Sequence, residues 1–586
     1  MNTLKERNII PKSDLLDYEP DNYEYEFDTP YAPTWDPDNG VREDNFDVDT
    51  LKLIKIEGSA SLKKQLVSLC KEYKDIFRQV VKPHPANVSP IRFDVNKELW
   101  DKPANRKSAR PVSSVIREEI KRQVDIMLEN NVIRPSQATS WSQVLMVKKP
   151  SGKYRFCIDY RNFNRCIKRM GWPIPHIPEM LRRIGDHHPT LFGTMDLTAG
   201  YHQAPIEESS REATAFITWM GLYEWCRLPM GPMNGPSYFQ GVMANEVLKG
   251  LLYRILELYM DDLIVHAKSE SEFVARVHEI FERLRQHNIT INPEKCVLGA
   301  SRIEYTGHIL DAEEITFSRK KLANVLNFRK PSTQKELKSF LGMVTYFHTH
   351  IQGHSMLCQP LHEMVRDYKP TKVLKWTPAQ DDAYAKVIDA VNKCPKLFFV
   401  DDTLAIVLET DACDSGIGAY LYQKTVDGEM HPIAFISKAF TKEQLRWSTP
   451  EKEAYAIFYA IKKFDYILRG VHFLLRADHK NLTFINLENS GKVRRWKIEI
   501  QEYDFEVEHV PGKNNVVADV FSRFYPSELN LHHANLWELQ DLNATTEIDI
   551  DIPSSEKAEI RKVHNSNAGH FGVDRTMQKL TQKGLK

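Results

Sequence analysis

The sequence predicts an α+β chain of several domains, and three observations carry that prediction. Its 586 residues are 42% hydrophobic and 27% charged, which is globular composition and enough for roughly three to five domains at about 100–200 residues each. Strand-like runs alternate with helical patterns from about residue 90 to 320, as in an α/β or α+β domain. After a mainly helical stretch from Ser318 to Lys396, a second β-rich unit begins near Leu404. Its order of elements suggests a five-stranded sheet with helices, ending near Phe524.

The elements follow from periodicity. Residues 1–50 mix Asp, Glu, Pro, Asn and Tyr with no period of 2 or 3.6, and read as extended or disordered. Leu62, Leu66, Leu69, Tyr73 and Phe77 predict a helix over Ser61–Phe77. Over Pro111–Asn131 a second helix presents Ile116, Ile120, Val124, Met127 and Leu128 as one stripe, with Ser113 or Ser114 to cap it and Glu118 and Glu119 in its first turn. Val144–Lys148 and Tyr154–Ile158, joined by Pro150-Ser151-Gly152, read as a hairpin. Leu191–Met195 is an apolar strand closed by Asp196. Ile255–Met260 is another, closed by Asp261-Asp262, after which Leu263-Ile264-Val265 resumes the pattern. Helices are expected over Pro236–Val247 and Glu272–Arg285. In the second unit the strands are Leu404–Thr410, Gly418–Gln423, Pro432–Ser437, Phe473–Arg476 and Phe505–Glu508, with helices over Pro450–Leu468 and Val493–Glu502 and a hairpin turn at Asp427-Gly428.

Composition excludes several classes. No run reaches about 18 apolar residues, so no membrane span is predicted. The opening MNTLKERNIIPKSD lacks the apolar core of a secretory signal. Eight cysteines without a CxxC pair fit a reducing compartment and argue against a disulfide framework or a complete cysteine zinc knuckle. The 79 basic and 79 acidic side chains cancel, but unevenly: residues 13–50 carry a net −12 and residues 526–556 a net −7, leaving +19 on the other 517. Such a basic body suits either a nucleic-acid binder or an ordinary soluble surface. From Lys148 to Arg169 there are eight basic residues and one acid, Asp159. That density repels itself unless an anion sits against it, and marks a phosphate-facing element.

Two sets of carboxylates stand out. Asp196 and Asp261 each end an apolar strand, where a carboxylate is costly unless paired or metal-bound. Divalent cations would relieve their repulsion, and Mg²⁺ takes one or two carboxylates plus substrate phosphate oxygens. Two such ions suit in-line phosphoryl chemistry. In the second unit Asp411 and Asp478 end strands, Glu453 lies in the first turn of the long helix, and Asp519 falls in the helix-like Asn515–Arg523. Glu453 shares a helical face with Ile457 and Ala460, whereas the neighbouring candidate Glu451 turns toward solvent.

The segments NNVIRPSQATSWSQVLMVKKPSGKYRFCIDYRNFN, WPIPHIP, MDLTAGYHQAPI, TAFIT, LPMGPMNGPSYFQ, YMDDLIVHAKSE, INPEKCVLG and YTGHIL occur in that order between about Ser108 and Leu310. Together they resemble the reverse transcriptase of a gypsy-like LTR retrotransposon polyprotein. Over residues 402–525, ETDACDSGIGAYLYQ, WSTPEKEAYAI, RADHKNLTFI and HVPGKNNVVADVFSR resemble the ribonuclease H domain of the same family. The implied fold is a right-hand polymerase of palm, fingers and thumb, followed by a ribonuclease H-like α/β domain with a five-stranded mixed sheet. The implied division is an acidic, partly disordered extension with one helix (1–85), the reverse transcriptase (86–317), a helical thumb or connection (318–401), the ribonuclease H-like domain (402–525), an acidic linker (526–556) and a truncated start of an integrase zinc domain (557–586).

The resemblance implies DNA synthesis from dNTPs on RNA and DNA templates, and hydrolysis of RNA in RNA–DNA hybrids, with Mg²⁺, or Mn²⁺ in its place, as a pair in each site. Asp196 and Asp261 would be the polymerase ligands and Asp262 the supporting third. Tyr201 matches the aromatic gate beneath the sugar. Lys148, Lys153 and Arg155 would hold the triphosphate, with contact to the template backbone as the other reading of this hairpin. Met230 and Gly231 fall at the pocket, where Met230-Gly231-Pro232 and Asn234-Gly235-Pro236 depart from the family's usual Phe-Gly-Leu and Asn-Ala-Pro. Asp411, Glu453, Asp478 and Asp519 fall on the ribonuclease H metal site. His509 is either the mobile histidine of some ribonucleases H or a strand-end surface residue. His564 and His570 match an incomplete zinc site, since the cysteine pair has no place before Lys586. Implied partners are an RNA template, a DNA primer, the hybrid and dNTPs, with self-association compatible and no membrane. The implied location is the cytoplasm, in retroelement particles, with nuclear entry of products. The competing reading is a degenerate or domesticated product that only binds nucleic acid.

Overall fold

Apolar runs broken by turn residues fold into four sheets in the computed structural model, which describes residues 48–148, 154–477 and 491–509. The hairpin Ser142–Lys148/Tyr154–Asp159 pairs antiparallel with Val147 opposite Arg155. It forms one side of a five-stranded sheet completed by Phe216–Thr218, Gly221–Trp225 and Ile133–Pro135. Its turn, with Lys153, lies outside the described residues.

The second sheet orders Lys55–Ile56, Val297–Ala300, Leu191–Asp196, Asp262–Ala267 and Leu256–Tyr259. Helix Glu270–Gln286 packs against it through buried Phe273, Val277, Ile280, Phe281 and Leu284. Ser269 caps that helix by accepting from the Glu272 N–H, with Glu270 and Glu272 in the first turn and Arg283 and Arg285 in the last, the arrangement that suits the helix dipole. Helix Ala60–Glu72 lies beside it. It stops five residues short of the predicted end, and a 3₁₀ turn over Lys74–Ile76 follows. Tyr73 and Phe77, on either side of that turn, both meet Phe281, at 5.8 and 5.3 Å between ring centroids. Helix Ser114–Glu129 begins directly after Ser113, but the Ser113 hydroxyl makes no capping bond, and Glu118 and Glu119 lie beyond the first turn. The helix at Gly235–Val242 passes into a π turn over Met243–Val247.

A small sheet of Ile303–Tyr305, His308–Leu310, Glu314–Phe317 and Leu397–Phe398 brackets four helices, Arg319–Leu326, Gln334–Thr345, His354–Glu363 and Pro378–Asn392. Their core holds Leu337, Phe340, Leu341, Val344 and Phe347, the anchors expected from spacing.

The last sheet orders Met430–Ala439, Gly416–Lys424, Ile406–Ala412, Phe473–Ala477 and Phe505–His509. The first three strands are antiparallel and the last two parallel, so the sheet is mixed and five-stranded. Apolar clusters cover both faces of its central strands. Leu408, Leu421 and Leu475 join Ile457, Ala460 and Ile461 of helix Thr449–Lys463 in one core. Val407, Tyr420, Tyr422 and Phe435 join Met180, Leu181 and Ile184 of helix Ile177–Asp186 in another. Tyr420 stacks on Phe435 at 4.9 Å and on Tyr422 at 4.6 Å. Ser355 ties the helical region to the edge strand: its N–H donates to Ser437 Oγ at 2.8 Å and its hydroxyl to the Ser437 carbonyl at 2.7 Å.

Burial lowers five described histidines, His350 and His362 among them, and pulls His266 to about 3, His308 to about 4 and His354 to about 3 from an ordinary 6.5. At these sites the unfolded chain binds more protons than the folded chain between those values and 6.5, so the stability these neutral imidazoles contribute above pH 6.5 is lost as pH falls toward 4. Thermal unfolding followed by circular dichroism should show that His308→Gln loses less of its midpoint across that interval than the unsubstituted chain, because the His308 contribution is gone.

Candidate active site

Pairing of the second sheet brings the first set of carboxylates together. Asp196, the last residue of its strand, lies opposite Asp262, the first residue of the next. Asp261 occupies the two-residue turn, with Met260, that joins Leu256–Tyr259 to Asp262–Ala267. Met260 takes φ +59°, a left-handed conformation that costs a non-glycine residue roughly 1–2 kcal/mol. Backbone bonds fasten the turn to its surroundings: the Leu197 N–H donates to the Asp261 carbonyl at 3.0 Å, and the Asn292 N–H to the Asp196 carbonyl at 2.8 Å. Gly200 permits the close approach, since a Cβ there would stand 3.2 Å from Asp261 Cβ and 3.3 Å from Phe239 Cζ.

Crowding shows in the electrostatics. Burial, then the charges of Asp261 and Asp196, push Asp262 up to about 7. Burial and the Asp196 charge raise Asp261 as well. Lys295, from the 3₁₀ turn Pro293–Lys295, places Nζ 2.9 Å from Asp196 Oδ2. Burial opposes the Lys295 charge, but the bond to Asp196 and the nearby Asp261 and Asp262 raise its pKa overall. Among the described residues, no three His, Cys, Asp or Glu side chains already form a metal-holding group. The donor chemistry nevertheless fits a hard divalent cation: three carboxylates in mutual repulsion, one of them drawn to an ammonium.

Tyr201, in the short helix Gly200–Gln203, donates its hydroxyl to Met260 Sδ at 3.7 Å and meets Phe239 edge-on at 5.3 Å. It therefore stands beside the carboxylate turn. Met230 is half-buried, and Gly231 takes φ +117° against Tyr160, whose ring would lie 2.9 Å from an added Cβ. Asn164 clamps this loop, donating to the Gly231 carbonyl at 3.0 Å and accepting from the Met233 N–H at 2.9 Å. Lys148 and Arg155 are exposed on the neighbouring strands of the basic hairpin. Asp159, its single acid, is held below the usual carboxylate range by hydrogen bonds from Arg161. Arg110 also reaches it, at 3.2 Å. Lys107, Arg110, Arg161, Arg165 and Trp141 line a cavity of about 350 Å³ beside this cluster.

Of the second set, Asp411 and Glu453 are described, 4% and 6% exposed. Asp411 lies in Ile406–Ala412, one residue past Thr410, which pairs with Ala477 of the adjacent parallel strand. Glu451 accepts from the Ser448 N–H and hydroxyl at 2.9 and 3.1 Å in a capping box, so its carboxylate serves the start of the helix. Glu453 points inward with Ile457 and Ala460. The backbone of His509 ends the last strand, opposite Ala477. Asp478, Asp519, His564 and His570 lie outside the described residues.

Residues 147–310 match the reverse transcriptase (RNA-dependent DNA polymerase) family, and residues 401–503 match the RNase H-like domain found in reverse transcriptase. The chain carries a reverse transcriptase domain and a ribonuclease H-like domain. A Tf2-3 transposon polyprotein of Schizosaccharomyces pombe is 30% identical over 468 residues, covering 78% of this chain and 34% of that one. A retrovirus-related Pol polyprotein from transposon 297 of Drosophila melanogaster is 33% identical over 431 residues, covering 72% and 40%. The chain thus spans between about a third and two fifths of the length of these relatives. Among solved structures, a foamy viral protease-reverse transcriptase in complex with RNA/DNA hybrid superposes with a TM-score of 0.68 at 18% identity, covering 85% of this chain and 66% of that one. The enzyme in complex with dsDNA gives 0.65 at 20%, covering 81% and 98%. The fold is the polymerase-plus-nuclease arrangement that the motifs implied.

Within the reverse transcriptase domain, sequence reasoning missed Lys295, Gly200 and Asn164. Each lies in or beside a quoted motif, but nothing in a single sequence announces that a lysine 99 positions away will salt an aspartate. Gly231→Ala should destabilise the chain by about 1–3 kcal/mol, since it adds both backbone strain and a clash with Tyr160. Urea unfolding of the two proteins side by side checks this.

Proposed function

We propose that the chain synthesises DNA from dNTPs on RNA and DNA templates and hydrolyses the RNA strand of the resulting hybrids, in the replication of a retroelement. The observation that carries this reading is the meeting of Asp196, Asp261 and Asp262 at one end of a paired sheet, with burial and mutual charge raising two of them. Asp196 and Asp261 would hold the divalent cations, two per site, with Asp262 in support. When bound, the cations stabilise the attacking 3′-oxygen and the departing pyrophosphate.

The protein's own groups do the rest. Tyr201, fixed between Met260 and Phe239, excludes a ribose 2′-hydroxyl and so selects dNTPs. The Lys148, Lys153 and Arg155 hairpin holds the triphosphate, Arg155 best of the three because its planar fork matches phosphate oxygens. Met230 and Gly231 floor the pocket. The second site draws on Asp411, Glu453, Asp478 and Asp519. The hybrid and duplex DNA named with the foamy viral structures support the same partners here. The domain divisions set out from the motifs, residence in retroelement particles and self-association belong to this reading. A purely binding role is disfavoured, because it gives no account of the gathered acids.

Asp261→Asn should abolish primer extension on poly-rA/oligo-dT and leave hybrid cleavage intact, while Asp411→Asn should do the reverse. Retained synthesis in the first variant, or lost synthesis in the second, would overturn the two-site assignment. Tyr201→Ala should raise ribonucleotide incorporation relative to dNTP by about 10- to 200-fold, the range that one misfitting group in a pocket commands. Unchanged sugar discrimination in single-nucleotide assays removes the gate.

A further inference from the structure

The turn that carries Asp261 is strained at Met260 and has a dedicated support. Gln240, in the Gly235–Val242 helix, is 1% exposed. Its carboxamide oxygen accepts the Met260 N–H at 3.0 Å, and its amide donates to the Leu258 carbonyl at 3.2 Å. One planar side chain thus spans the strand end and the first turn residue, satisfying a donor and an acceptor on either side of Tyr259. Met260 holds φ +59°, a region an L side chain rarely adopts. Its successor Asp261 sits close against Gly200, where an added Cβ would stand 3.2 Å from Asp261 Cβ.

We propose that Gln240 is a positioning residue for the carboxylate cluster: it holds Met260 in the left-handed conformation and thereby sets the direction in which Asp261 faces Asp196. The inference rests on reading those aspartates as the polymerase metal ligands. The chemistry at this position is specific. A leucine would leave the Met260 N–H and Leu258 carbonyl unpartnered in the interior, and a glutamate would restore the acceptor but not the donor.

The test uses the purified full chain with Gln240→Leu, comparing single-nucleotide extension, its dependence on Mg²⁺ concentration, and cleavage of an RNA–DNA hybrid as an internal control of folding. The expected result is a fall in extension kcat of about 10- to 100-fold, the scale of a displaced reacting group, with KM for dNTP within about threefold. Half-saturating Mg²⁺ should rise and hybrid cleavage should stay unchanged. Adding Met260→Gly to Gln240→Leu should recover part of the lost kcat, because glycine adopts positive φ unaided. Extension within about twofold of wild type, well short of that displacement effect, would overturn the proposal. So would equal loss of both activities, or a raised KM at constant kcat. A wild-type chain that cleaves hybrid but never extends a primer would instead sink the parent reading of the aspartates.

Discussion

Like charges brought within one another's field are the constraint around which this candidate site is arranged. Asp196 and Asp262 are forced together by strand register, and Asp261 by a two-residue turn. Nothing about β pairing favours this, and burial makes it worse. The surrounding parts make sense as responses: an ammonium from Lys295, a buried carboxamide behind the turn, and a glycine where a side chain would push the turn away. A site that stores repulsion in this way is prepared for cations and for the phosphate oxygens they bring.

Much of the fold was legible from the primary structure, because the relevant signals are local. Apolar strands that end in acids, the basic hairpin, the helical anchors Leu337, Phe340 and Val344, and the five strands of the second unit all follow from spacing over a few residues. Glu453 was separable from Glu451 by helical phase, and the structure adds that the Glu451 carboxylate is engaged by Ser448. Element ends were less legible. Tyr73 and Phe77 continue a helical spacing, yet the α-helix ends at Glu72 and both rings meet Phe281 from outside it. Lys295, Gln240 and Asn164 were invisible as site residues, because their meaning lies in partners that only tertiary folding supplies.

The basic hairpin illustrates the same limit. Counting charges marked it as phosphate-facing, but it did not show that Asp159 is engaged by Arg161 and Arg110. Part of the positive charge is therefore locally balanced. Lys148 and Arg155 remain exposed on adjacent strands, while the arginines next to the cavity are oriented by the acid they share.

The sheet of the ribonuclease H-like domain is covered on both faces except along its last strand, where Glu506, Val507 and Glu508 are exposed. Val407, Tyr420, Tyr422 and Phe435 lie in the same apolar cluster as a helix of the polymerase half, and Ser355 bonds the edge strand to the helices between. A dry seam of this kind behaves differently from two beads on a string. It holds the strand ends that bear Asp196 and Asp262 and the strand that bears Asp411 at one spacing, set by aromatic stacking deep inside the protein.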